Sequence, residues 1–192
     1  MKILVLNGSP KKQSDTFRMT EAFLRGLNKT GEHEVHVIRV IEKKIAPCRG
    51  CFGCWQRSDG HCVIDDDQNG ILDLYRDAEL IIWSFPLYCY GMPSHLKAVL
   101  DRTIPLIKMK MVQDESGRVR HEPLADFSRI RTLVICGCGF PDWDGNFDSL
   151  LARFEEAGAE YARERRLSPE TIARLETPMI PKEVYIQIVN GV

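Results

Sequence analysis

Ile3 to Asn7 form a short apolar run closed by Gly8-Ser9-Pro10, after which Met19, Ala22, Phe23, Gly26 and Leu27 recur at helical spacing. This pattern predicts a strand, a loop and a helix. Val35, Val37 and Val40 lie in a β-branched stretch that suits a second strand. Leu80 to Trp83 are continuously apolar, as a strand covered on both faces should be. Leu96, Val99, Leu100 and Thr103 then mark one helical face, and Thr132 to Cys136 make another buried strand. Phe147, Leu150, Leu151 and Phe154 follow the i, i+3, i+4, i+7 spacing of an amphipathic helix, and Tyr161 to Leu167 read as a fifth, more polar edge strand. Strands alternating with helices predict an α/β fold: a doubly wound, five-stranded parallel sheet with right-handed crossovers and helices on both faces.

Three stretches interrupt the rhythm: a Cys-rich loop over 46–66, a polar excursion over 104–130 that contains Gly117, and a tail over 168–192. No linker divides the chain, so residues 1–192 are expected to form a single domain. In the tail, Pro169 to Glu176 suit a short helix, while Val184 to Val189 fit strand or helix by pattern alone. The chain has 192 residues and a formal charge of −1, so no strong field favours nucleic acid or an anionic membrane. Its N-terminal apolar run, Ile3 to Leu6, is too short for a signal-peptide core or a membrane span. Seven Cys, an odd number, together with that absence suggest a reducing cytoplasm. The four between Cys48 and Cys62 then point to metal, redox chemistry or packing rather than disulfides.

In an open parallel sheet, ligands bind outside the carboxyl ends of the strands. Three loops of this sequence belong there. The first, Gly8 to Thr16, concentrates hydroxyls at a helix N-terminus, where unpaired N–H groups and the dipole favour an anion such as a phosphate monoester. It lacks both the Walker A Gly-Lys-Ser/Thr ending and the three-glycine dinucleotide fingerprint. The second, Phe85 to Pro93, sets aromatic and apolar side chains beside backbone amides, which suits a flat heteroaromatic ring. The third, Cys136 to Phe140, carries small residues that let backbone approach a ligand closely.

Gly8-Ser9-Pro10 with Ser14 and Thr16, Pro86-Leu87-Tyr88 with Gly91-Met92 and Leu96-Lys97-Ala98, and Leu100-Asp101-Arg102 together resemble the flavodoxin-like NAD(P)H-dependent FMN reductases. The segment ending Cys62-Val63-Ile64-Asp65-Asp66 is similar to the branch that holds the iron-sulfur flavoproteins and their cluster-free relatives. The resemblance implies FMN, with its phosphate on Ser9, Ser14 and Thr16, helped by Lys11, and its ring against Pro86, Leu87, Tyr88, Cys89, Tyr90, Gly91, Gly137, Cys138 and Gly139. Asp15 departs from the neutral residue usual at that position and would repel a phosphate unless it turns away or caps the helix. NADH or NADPH is the implied co-substrate, and a quinone, a flavin or another small molecule the implied acceptor. A homodimer or homotetramer, also implied, would bury Leu106, Ile107, Met109 and Met111. Two other functions stay open: an electron-transfer protein of the iron-sulfur flavoprotein type, and a ligand-binding regulator that kept the fold without the cofactor.

Cys48, Cys51, Cys54 and Cys62 follow a Cys-x2-Cys-x2-Cys-x7-Cys pattern. Four thiolates on a segment with Gly50 and Gly53 can ligate a [4Fe-4S] cluster, can bind zinc, or can wall the flavin pocket as reduced structural thiols. Asp65, Asp66 and Asp67 are expected to cap the helix that follows, and His61 stands beside Cys62. Cys89, Cys136 and Cys138 are either redox-active or small hydrophobes. No side chain is assigned as a catalytic acid or base.

Overall fold

The structure is a computed structural model that describes residues 1–113, 117–139, 145–150 and 152, and the backbone of 160–166 and 183–190. Its elements are β1 (Lys2–Asn7), α1 (Asp15–Leu27), β2 (Glu34–Arg39), α2 (Gly53–Arg57), α3 (Gln68–Asp77), β3 (Leu80–Pro86), α4 (Ser94–Asp101), β4 (Ile107–Gln113), β5 (Val119–Pro123), β6 (Arg131–Cys138), β7 (Glu160–Arg166) and β8 (Glu183–Asn190).

The main sheet has the order β2-β1-β3-β6-β8-β7. The first four of these strands are mutually parallel. Because both faces of β1, β3 and β6 are covered, their middle positions are continuously apolar and divide between two cores according to the period of two. Leu4, Leu6, Ile81, Trp83, Phe85, Val134 and Cys136 pack on one side with Ile71 of α3 and Leu96 and Val99 of α4. Ile3, Val5, Leu80, Ile82, Leu133 and Ile135 pack on the other with Met19 and Leu24 of α1. Each such side chain, fully buried, contributes about 1.5–3 kcal/mol.

The sheet is thus doubly wound with four parallel strands, and the expected fifth is placed differently. The strand read over Tyr161 to Leu167 is present as β7 at the sheet edge, as expected, but it pairs antiparallel with β8, which stands between it and β6. β8, whose type the pattern left open, occupies the place beside β6 and is antiparallel to it. A chain that turns back on itself pairs antiparallel without a crossover, and the spacing of apolar residues carries no information on that sense. Phe147 and Leu150 are buried in the same core as α3 and α4. Leu151, Phe154 and the predicted helix over Pro169 to Glu176 lie outside the described residues. The 104–130 excursion folds into an antiparallel hairpin of β4 and β5, separate from the main sheet. Among the described residues no helix is long and apolar enough to cross a membrane.

Candidate functional site

β1, β3 and β6 are adjacent and parallel, so their carboxyl ends form one rim, with Asn7 opposite Ser84 and Pro86 opposite Gly137. The ladder continues into the loops: the Gly8 N–H donates to the Ser84 carbonyl at 2.8 Å, and the Leu87 N–H to the Gly137 carbonyl at 2.8 Å. Gly8 is required here, because a Cβ would stand 2.7 Å from Cδ2 of Leu96 on α4. His95, in the first turn of α4, lies with Nε2 2.8 Å from the Gly8 carbonyl. A carbonyl only accepts, so Nε2 carries the proton.

The first loop presents donors. Asn7 is 1% exposed; its Oδ1 accepts the Ser9 N–H at 2.9 Å, and its Nδ2 has no partner among the described residues. The Ser9 hydroxyl accepts the Lys11 N–H at 3.3 Å, and the Ser14 hydroxyl caps α1 by accepting the Phe17 N–H at 3.3 Å. Each hydroxyl keeps its own proton to give. Ser9, Ser14 and Thr16 are buried, whereas the Lys11 side chain is exposed. Asp15 lies 3.8 Å from Arg18, one turn along α1, so its charge is offset and Ser14 is the cap. An orphaned buried amide, two hydroxyls and a capped helix N-terminus fit a phosphate.

The second loop is strained. Tyr88 and Gly91 exchange both backbone hydrogen bonds at 2.9 Å, and between them Cys89 has φ +47° and Tyr90 φ +59°. This is a two-residue hairpin turn with positive φ at both central positions, a place normally taken by Asn-Gly. Tyr88, Cys89 and Tyr90 are exposed, and Pro86, Leu87 and Gly91 are half-buried. In the third loop Gly137 is buried and Gly139 exposed. Cys138 is 3% exposed and belongs, with Cys136, to the core on the α3–α4 side. The rim therefore receives backbone and no thiol from Cys138. Burial, reinforced by Cys138, pushes the Cys136 thiol well above its ordinary value, so these two cysteines behave as small hydrophobes.

Cys48 and Cys51 are exposed, Cys54 on α2 is half-buried and Cys62 is buried. All four line one small open pocket together with Arg102, Ile104 and Pro105. Gly50, at φ +63°, makes the turn between the first two cysteines, and a Cβ on Gly53 would meet Val63 Cγ1 at 2.9 Å. Burial and the neighbouring Cys62 raise the Cys54 thiol. Among the described residues no three His, Cys, Asp or Glu are gathered as a site for one metal ion. A cluster held by one thiolate per iron needs its sulfurs farther apart than a single ion does, and four thiols around a common pocket fit that donor set. Next to Cys54, Trp55 turns to the hairpin: its indole N–H donates to the Ile107 carbonyl at 2.9 Å, and its ring stacks on Phe52 and tilts against His121. The Cys-rich loop is thereby joined to the β4–β5 hairpin.

Beneath the pocket lies an ion pair that sequence reasoning missed. The expected side-chain cap of α3 is not made: Asp67 is the N-cap residue without a capping bond, and Asp66 accepts the Gln68 N–H at 3.1 Å in a turn before the helix while its other oxygen takes the Ala46 N–H at 2.9 Å and the Arg102 guanidinium. Asp67 accepts the Lys44 N–H instead. Arg102, at the end of α4, is 1% exposed and also donates to the Ala46 and Ile64 carbonyls. Burial works against the charge on Asp66, yet Arg102 and the Ala46 and Gln68 N–H groups outweigh it and hold the carboxyl below its usual range. His61 pairs with Asp73 at 2.8 Å. Three adjacent acidic residues read as a cap because capping is local; Arg102 is far along the chain and carries no local mark of its partner.

The class that this fold and rim define is the flavodoxin-like one. The sequence model of the flavodoxin-like fold matches residues 1–178, and the chain belongs to that family. It is 35% identical over 106 residues to an iron-sulfur flavoprotein of Methanosarcina thermophila, covering 55% of this chain and 54% of that protein. The chain spans about half the length of the curated relatives it matches. In fold it is similar to an NAD(P)H:quinone oxidoreductase from Methanothermobacter marburgensis (15% identity, TM-score 0.58, 81% of this chain and 74% of that one). It is likewise similar to an FMN-dependent NADH-azoreductase from Bacillus anthracis in complex with FMN (20% identity, TM-score 0.56, 80% of each chain).

Proposed function

We propose that the chain is an FMN-dependent oxidoreductase that accepts hydride from NADH or NADPH and reduces a quinone, a flavin or another small acceptor. The observation that carries the reading is the rim where three loops meet, with the orphaned Asn7 amide and the Ser9 and Ser14 hydroxyls at its phosphate end. FMN supplies the hydride and electron chemistry when bound; the protein supplies binding, orientation and electrostatics. Ser9, Ser14 and Thr16 hold the phosphate, with Lys11 adding charge from solvent, and Asp15 is kept from opposing it by Arg18. Backbone at Leu87, Gly91, Gly137 and Gly139 faces the ring edge, and Tyr88 and Tyr90 flank the ring. Met109 and Met111, 71% and 64% exposed on the hairpin, supply the contact of a homodimer or homotetramer in the cytoplasm. Neither nucleic acid nor membrane is a partner. The test is anaerobic purification followed by a visible spectrum, FMN content and NADH and NADPH oxidation with quinone and flavin acceptors. A colourless protein that takes up no FMN sinks the reading.

The second reading adds a [4Fe-4S] cluster on Cys48, Cys51, Cys54 and Cys62 and makes the chain an electron-transfer protein. The four-thiol pocket favours it, as does the 35% identity to an iron-sulfur flavoprotein. One helix joins the two sites: α4 touches the rim through His95 and ends at Arg102 in the pocket wall, seven residues or about 10 Å further on. Iron and acid-labile sulfide near four per chain, with ferredoxin-dependent reduction and no NADH or NADPH oxidation, would establish it over the first.

A further inference from the structure

Among the described residues, Arg102 is the one charged side chain both fully buried and in the wall of the cysteine pocket. Its NH1 and NH2 groups are engaged by Asp66, Ala46 and Ile64, while its Nε has no acceptor among the described residues. Cys62 lines the same pocket as Arg102 and favours the guanidinium's charged form, second only to Asp66 among the groups that do so. Asp66 shares the pair from the side of Ala46 and the start of α3, and is not among the groups that line the pocket. The pocket wall thus meets the positive half of a buried ion pair.

We propose that Arg102 is a positioning residue that acts through Cys62 and sets how readily a group held by the four thiolates takes up an electron, with Asp66 opposing it. This rests on the cluster reading. A buried guanidinium favours whichever state of its neighbour carries one more electron, and N–H groups directed at ligand sulfur act in the same sense. The electron arrives by way of FMN from the donor of that reading, a reduced ferredoxin, and no bond in the protein is made or broken. The pair's two halves give the idea its signature, since removing either one loosens the same loop but changes the local charge in opposite directions.

The experiment is an anaerobic potentiometric titration of the cluster in the wild-type protein, Arg102→Gln, Arg102→Lys and Asp66→Asn, with iron and sulfide measured on each. Arg102→Gln is expected to lower the one-electron reduction equilibrium at least tenfold, a fall of about 59 mV. Asp66→Asn is expected to raise it, and Arg102→Lys to stay nearer the wild type than Arg102→Gln does. Shifts of one sign in Arg102→Gln and Asp66→Asn, or no shift, overturn the proposal and assign the pair to loop structure alone. If Arg102→Gln holds no iron, the Asp66→Asn titration decides: a raised equilibrium supports the proposal, an unchanged or lowered one overturns it. Wild-type protein lacking iron and sulfide overturns the cluster reading and this inference with it, whereas iron-loaded wild type with unmoved variants overturns this inference only.

Discussion

Replacing Tyr90 by Gly should stabilise the protein while weakening its ligand site. Tyr90 sits at φ +59°, where an L-residue is disfavoured by about 1–2 kcal/mol. Glycine removes that cost but brings about 0.5–1 kcal/mol of extra unfolded-state entropy. Tyr90 is 58% exposed, so little buried contact is lost. The net expectation is a gain of about 0.5–1 kcal/mol, seen in urea unfolding as a higher midpoint with an unchanged slope. Tyr90→Ala is the control: it deletes the same ring but keeps a Cβ in the left-handed region, and should gain nothing. Both variants lose the aromatic surface, and their affinity for FMN should fall about two- to tenfold, the equivalent of about 0.5–1.5 kcal/mol of aromatic contact. A lower midpoint for Tyr90→Gly, or equal midpoints for the Gly and Ala variants, would refute the strain argument. Strain at a loop facing a ligand is stability given up for a fixed placement of side chains.

Gly8→Ala forces a Cβ to within 2.7 Å of Leu96 and should destabilise by about 1–3 kcal/mol; in a Leu96→Ala background that penalty should shrink, and an equal penalty in both would show the contact is not its cause. Arg102→Met leaves the half-buried Asp66 carboxylate with only its Ala46 and Gln68 N–H donors and should cost about 1–3 kcal/mol at pH 7, read by the same unfolding curves. Because the folded-state pKa of Asp66 is depressed, its contribution is present above the unfolded value of about 3.9 and is lost as pH falls through the lower folded value. The stability difference between wild type and Asp66→Asn should therefore be large at pH 7 and shrink towards pH 3; a difference that does not vary with pH contradicts the pairing. Trp55→Phe deletes the indole donor to Ile107 and should raise amide exchange in β4 without changing it in β1, a contrast that hydrogen-exchange mass spectrometry resolves.

The parallel half of the sheet and both of its faces were readable because β1, β3 and β6 are short apolar runs and their helices carry a 3.6-residue stripe. The loops that make the rim were readable for the same reason, since in this topology they must follow those strands. Long-range polar pairing was not. Nothing near Asp66 points to Arg102, and Cys138 reads equally well as a site thiol or a core residue until the period of two in β6 is set against its neighbours. The strain at Cys89 and Tyr90 was also hidden, because the residues are not those that such a turn selects. The insertion of β8, antiparallel between β6 and β7, escaped because pairing direction depends on how the chain returns, which side-chain periodicity does not encode.

β7 precedes β8 in the chain yet bonds to the sheet only through it among the described residues. The consequence concerns the order of assembly. The four parallel strands and every rim residue named above lie within residues 1–139, whereas β7 has no edge to pair with until residues 183–190 have docked on β6. That docking closes a long loop, Cys136 finding Tyr185, and loop-closure entropy delays it. Until it happens, β6 is an open edge of apolar residues beside a nearly finished ligand site, the part of the molecule most exposed to pairing with another chain while it folds.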